Sequence, residues 1–81
     1  MRVMLVDDYP LFRQGLKALL EAEESIEVVG EAGDGTEAVE MVAKVKPDVV
    51  VMDITMPRHS GLEATKQIKE FFPNVKVIIL S

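Results

Sequence analysis

The run Pro47-Asp48-Val49-Val50-Val51-Met52-Asp53-Ile54-Thr55-Met56-Pro57 constrains this chain more than any other stretch. It opens and closes on proline, is apolar without interruption from Val49 to Met52, and then presents a carboxylate at Asp53. An apolar run this short and this rich in β-branched residues reads as a strand buried on both faces. Strands covered on both faces belong to parallel sheets flanked by helices. In open parallel sheets, ligands sit just beyond the carboxyl ends of the strands. Asp53 stands at that end. It is either a functional carboxylate aimed into a crevice or a side chain that caps a turn.

The segments on either side repeat one alternation. Val3 to Val6 is a short apolar strand closed by Asp7 and Asp8. Pro10 suits the first turn of a helix, where its missing N–H costs nothing. From Leu11 to Ala22 the pattern is helical, with Phe12, Leu16, Leu19 and Leu20 assigned to one face and Arg13, Lys17 and Glu21 pointing away. Ile26 to Ala32 is a second strand, and its mixed polarity suits a sheet edge. Gly33-Asp34-Gly35 is a turn, and Asp34 with Glu37 makes a capping box that uses Asp in place of Ser or Thr. Ala38, Met41, Val42 and Val45 then recur at helical spacing until Pro47 ends the helix. Ser60-Gly61-Leu62-Glu63 is a second capping box, opening a third helix whose inner face is assigned to Ala64, Ile68 and Phe71. Pro73 and Asn74 stop it, and Lys76 to Leu80 is a fourth strand, followed by Ser81. The order βαβαβαβ implies a parallel sheet with right-handed crossovers.

Composition narrows the functions such a fold can carry. The 81 residues make one small domain, 1–81, able to bury a core but a lesser fraction of its surface than a larger chain. With no cysteine there is neither a disulfide framework nor a thiolate metal site. The first apolar run is interrupted by Asp7 and Asp8 after four residues, so it reads as neither a signal peptide nor a membrane span. A net charge of −5 argues against this segment gripping nucleic acid by itself, which requires a basic face.

Three carboxylates converge by topology. Asp7 and Asp8 end the first strand and Asp53 ends the third. In the flavodoxin-like order 2-1-3-4-5 those strands are neighbours and the switch point lies between them. Ser81 ends the fourth strand on the same edge. Clustered acids raise one another's pKa and cost stability, so they call for a cation or shared protons. Oxygen-only ligands favour Mg²⁺, which keeps several waters and takes one or two carboxylates plus a phosphate. A carboxylate beside such an ion can act as a nucleophile toward phosphorus. Each piece also has a plainer reading: Asp7-Asp8 as a helix-start device, Met56-Pro57 as a turn, Arg58 and His59 as a solvated loop, and Met4, Met41 and Met52 as core filler.

Val6-Asp7-Asp8, the strand ending at Asp53, Met56-Pro57 followed by Gly61, and an apolar strand ending in Ser81 together resemble a two-component response-regulator receiver domain. The resemblance spans the whole chain. Arg13-Gln14-Gly15-Leu16, Val29-Gly30-Glu31-Ala32, Asp34-Gly35 and Gly61-Leu62-Glu63-Ala64-Thr65 are similar to receivers that precede a LuxR-type helix-turn-helix domain. The resemblance implies that Asp53 accepts a phosphoryl group from a histidine kinase. It implies that Asp8 binds Mg²⁺ directly, that Asp7 assists through water, and that Thr55 offers a backbone carbonyl to the metal. Ser81 is then the hydroxyl that turns toward the phosphoryl group, and Pro57 and Gly61 shape the loop. The implied setting is cytoplasmic, with no membrane contact and with DNA bound only through an output domain outside this chain. The implied module is not a turnover enzyme.

The chain also departs from that family. A receiver has five strands and five helices, and this sequence supplies the order 2-1-3-4, without the fifth strand, its lysine or the last two helices. The chain therefore reads as a partial receiver. Its fourth strand, apolar on both faces, would then be an open edge and a template for self-association. Two other functions remain to be weighed. A haloacid-dehalogenase-like aspartyl-phosphate phosphatase requires an Asp two residues after the nucleophile, where Thr55 stands here. A flavodoxin-like nucleotide binder requires a phosphate loop after the first strand, where Asp7-Asp8 would repel a phosphate.

Overall fold

The computed structural model describes residues 1–53 and 61–80. Along the chain run β1 (Arg2–Val6), α1 (Pro10–Glu21), β2 (Glu27–Ala32), α2 (Gly35–Val45), β3 (Val49–Asp53), α3 (Gly61–Phe71) and β4 (Lys76–Leu80). The four strands form one parallel sheet in the order β2-β1-β3-β4. β2 lies at an edge, as its mixed polarity anticipates. The order 2-1-3-4 places the topological switch between β1 and β3.

The apolar runs are continuous because the sheet is covered on both sides and successive side chains alternate between them. Met4, Val6, Val50 and Met52 pack with Ala38, Val42, Ala64 and Ile68 beneath α2 and α3. Val3, Leu5 and Val49 face the other way, toward Leu16 and Leu20 of α1. Asp48 fixes the amino ends of three strands at once. Its N–H donates to the Arg2 carbonyl, its Oδ2 accepts from the Arg2 N–H, and its carbonyl accepts from the Lys76 N–H.

Two helix faces differ from the sequence assignment, and both differences have a rotational cause. In α1 the half-buried stripe is Arg13, Leu16, Lys17 and Leu20, at i, i+3, i+4 and i+7. Phe12 and Leu19 are 52% and 73% exposed. Arg13 and Lys17 direct their head groups to Glu31 near the end of β2, and the helix is turned about one residue from the purely apolar face. In α3 the inner stripe runs Gly61, Ala64, Ile68 and on to Phe72, which packs against the core, while Phe71 is 65% exposed. The helix phase set by Ala64 and Ile68 continues to the fourth residue after Ile68 rather than the third.

The Asp34 half of the first capping box forms, with Asp34 Oδ1 accepting from the Glu37 N–H at 2.8 Å, while Glu37 Oε1 accepts at 3.0 Å from the N–H of Gly33, one residue before the cap. The Ser60 half of the second box lies outside the described residues. α2 closes on Lys46 in the left-handed region (φ 49°, ψ 64°), with its N–H on the Val42 carbonyl. Gly30 follows a register shift in the β1–β2 pairing. A Cβ there would approach Met41 Cγ to 3.2 Å, so the glycine permits the close contact of α2 with β2.

β4 is unlike the other strands. Ile78, Ile79 and Leu80 are all exposed, and among the described residues β4 pairs only with β3. No helix among the described residues is long and apolar enough to cross a membrane.

Candidate functional site

β1 and β3 are adjacent and parallel, with Val6 opposite Met52. The next residue of each strand is therefore delivered to the same place, and these are Asp7 and Asp53. One carboxylate oxygen from each of Asp7, Asp8 and Asp53 lies within 4.8 Å of the others. Asp7 is buried, at 6% exposure, and Asp8 and Asp53 are half-buried. Thr55, Ser81 and the loop residues Met56, Pro57, Arg58 and His59 lie outside the described residues.

Asp7 is held from every side. Its N–H donates to the Ala32 carbonyl at 3.0 Å, extending the β1–β2 ladder one step beyond the strand. Its Oδ1 accepts from the Tyr9 N–H at 2.8 Å. Its carbonyl accepts from Arg13 Nη1 at 2.5 Å. The Tyr9 carbonyl then receives the Arg13 N–H at 3.0 Å, the first bond of α1. Asp7 thus braces the turn before α1 and is a member of the acidic cluster at once, but it is not the helix cap: the N-cap is Tyr9, without a side-chain cap bond, and the first turn carries no acid.

Burial holds the Asp7 carboxyl above the ordinary carboxylate value, and the charges of Asp53 and Asp8 push the same way. The Tyr9 N–H and the Arg13 guanidinium oppose them. Two unit charges about 5 Å apart at an effective dielectric of 20 repel by roughly 3 kcal/mol. Three converging carboxylates are therefore a costly arrangement on their own and a favourable one around a divalent cation. The donor set is all oxygen, which suits a hard ion. Opposed oxygens on Mg²⁺ are about 4.2 Å apart, twice the usual bond length. The trio's carboxylate oxygens, all within 4.8 Å of one another, lie close to that span.

The site contains a feature that the sequence reading placed in solvent. Arg13 reaches the strand ends and pairs through Nε with Glu31 Oε1 at 3.2 Å, with Lys17 Nζ 3.9 Å from the second Glu31 oxygen. The available signal was an acid at the end of β2 facing two bases one helical turn apart.

Comparison with known proteins identifies this arrangement. Residues 3–81 match the family model "Response regulator receiver domain". The chain belongs to this family. As a receiver it is a signalling module of the two-component type, and the cluster stands where its two strands converge. The chain is 46% identical over 80 residues to the transcriptional regulatory protein DegU of Brevibacillus brevis, covering 99% of this receiver and 34% of DegU. It is 51% identical over 80 residues to a protein-glutamate methylesterase/protein-glutamine glutaminase of Geobacter metallireducens, covering 99% of this receiver and 23% of that protein. A crystal structure of a LuxR-family two-component response regulator from Aurantimonas superposes with a TM-score of 0.92 at 41% identity, covering 96% of this receiver and 56% of that chain. The receiver thus spans 22% to 38% of the length of these and similar curated relatives.

Proposed function

We propose that this receiver accepts a phosphoryl group on Asp53 from a histidine kinase, with Mg²⁺ held by Asp7, Asp8 and Asp53 and by the backbone carbonyl of Thr55. The observation that carries the reading is the convergence of the Asp53 carboxylate with those of Asp7 and Asp8 at the carboxyl ends of β1 and β3. A carboxylate oxygen of Asp53 attacks phosphorus, the P–N bond to the donor imidazole breaks, and the electron pair leaves with the histidine nitrogen. Asp53 is left as an acyl phosphate. The rigid strand end fixes the nucleophile, and the sheet beneath it excludes water from one side. When bound, Mg²⁺ neutralises charge on the cluster and on the transferring group. Ser81 offers a hydroxyl to the phosphoryl group once it is in place.

The chain acts as an acceptor rather than a turnover enzyme, in the cytoplasm and without membrane contact. The methylesterase relative carries an enzyme name, but the receiver corresponds to only 23% of it. A transcriptional output, with DNA bound by a further domain, is supported by the similarity to DegU and by the LuxR-family structure. Two copies of this chain associate through β4, whose exposed Ile78, Ile79 and Leu80 sit on an edge of the described sheet.

Incubation with phosphoramidate and Mg²⁺ followed by peptide mapping tests the reading. A base-labile phosphoryl group on the peptide containing Asp53 is expected. A stable label on a serine or threonine would contradict it.

A further inference from the structure

We propose that Arg13 is a positioning residue of the acidic site: its guanidinium clamps the turn bearing Asp7 and Asp8 to the end of β2 and thereby sets how well the cluster holds a cation. The proposal rests on the reading of the cluster as a Mg²⁺ site and adds a residue outside it.

The guanidinium is shared among three acceptors on two strands. Nη1 donates to the Asp7 carbonyl at 2.5 Å and to the Ala32 carbonyl at 3.3 Å, and Nε donates to Glu31 Oε1 at 3.2 Å. Asp7 immediately follows β1, and Ala32 is the last residue of β2. The same Ala32 carbonyl also accepts the Asp7 N–H. One planar fork therefore closes a ring of hydrogen bonds around the peptide that leads into Asp8. The Arg13 side chain is 19% exposed, so these bonds are largely shielded from water. Gly33 stands beside it, where an added Cβ would lie 3.5 Å from Nη1.

These hydrogen bonds of the fork go to main-chain oxygens and to Glu31. Arg13 thus acts on the backbone that carries the ligands. This is a fork geometry that lysine, a single point charge, does not reproduce. Charge and geometry predict opposite results. Removing a cation near three carboxylates should tighten Mg²⁺ binding. Loosening the turn that aims them should weaken it, by roughly tenfold or more if Arg13 resembles other groups that orient metal ligands.

The test compares wild type, Arg13→Lys, Arg13→Ala and Glu31→Gln. Mg²⁺ affinity is read from amide chemical shifts, and amide hydrogen exchange is read without the metal. Positioning predicts weaker Mg²⁺ binding in all three variants, including the charge-preserving Arg13→Lys. It also predicts faster exchange at the Asp7 and Tyr9 amides, with the Leu5 and Val50 amides unchanged. Unchanged affinity in Arg13→Lys with tighter binding in Arg13→Ala would overturn it in favour of a bare charge effect. A uniform rise in exchange, including Leu5 and Val50, would overturn it in favour of general stability. If wild type showed no Mg²⁺ response, the cation reading would fall, and the exchange arm would still decide whether Arg13 fixes this turn.

Discussion

Val6 and Met52 are opposite one another on adjacent parallel strands, and the acidic site follows from that pairing. One residue further along each strand are Asp7 and Asp53. They reach the same edge because β1 and β3 share a direction, which only a parallel neighbour relation provides. The geometry puts the Asp53 carboxylate beside those of Asp7 and Asp8, an all-oxygen set that would suit a shared cation.

Asp7 gives the clearest pH dependence. Burial first, then its acidic neighbours, hold its folded-state pKa above the ordinary value of 3.8. The folded protein therefore keeps this proton to higher pH than the unfolded chain. The stabilisation from that proton is full below the unfolded value and is lost as pH rises through the raised folded value. Without divalent cations, Asp7→Asn should unfold at a higher temperature than wild type at neutral pH, by a few degrees, with the difference closing in acid. Mg²⁺ should then raise the wild-type midpoint more than the variant's, since Asp8 and Asp53 remain in the variant. Thermal unfolding across pH, with EDTA and with Mg²⁺, checks both statements.

The phase of α3 is tested by its two adjacent aromatic residues. Phe72 packs on the core and Phe71 is exposed. Phe72→Ala should cost about 3 kcal/mol, near the low end for aromatic truncation because the site is only partly buried. Phe71→Ala should stay within roughly 0.5 kcal/mol, as exposed positions do. Urea unfolding of the two variants measures the contrast.

Lys46 closes α2 in a conformation that costs an L-residue about 1–2 kcal/mol and glycine little. Lys46→Gly should stabilise the fold by about 1 kcal/mol, less whatever entropy glycine adds to the unfolded chain. The change is read as an upward shift of the urea midpoint at constant slope.

These positions show what the sequence alone reveals. The β3 run is legible because burial on both faces leaves no polar alternation to misread. The convergence of Asp7, Asp8 and Asp53 is legible because the strand order places β1 beside β3. Helix rotation is less so. Phe71 and Phe72 are equally apolar, and only packing by Ala64 and Ile68 decides between them. In α1 the helix keeps Leu16 and Leu20 inward but turns Phe12 and Leu19 out, with Arg13 bonding the strand ends and Lys17 beside it. A long basic side chain reads as solvent-facing until its acceptors are placed. The backbone carbonyls of Asp7 and Ala32 carry no sequence signature.

The β4 edge leads to a prediction about assembly. Ile79 is 40% exposed on a strand paired on one side among the described residues. Sedimentation equilibrium at micromolar concentration should show reversible self-association. Ile79→Lys should shift it toward monomer, since a charge on an exposed strand edge opposes pairing. A monomer at all concentrations would contradict edge pairing.

Intact-mass analysis after incubation with acetyl phosphate tests the central claim most directly, comparing wild type with Asp53→Asn, each with Mg²⁺ and with EDTA. The account predicts a single phosphoryl adduct on wild type with Mg²⁺, and none on wild type with EDTA or on Asp53→Asn under either condition. An adduct that persists in Asp53→Asn, or that forms equally well in EDTA, would contradict it.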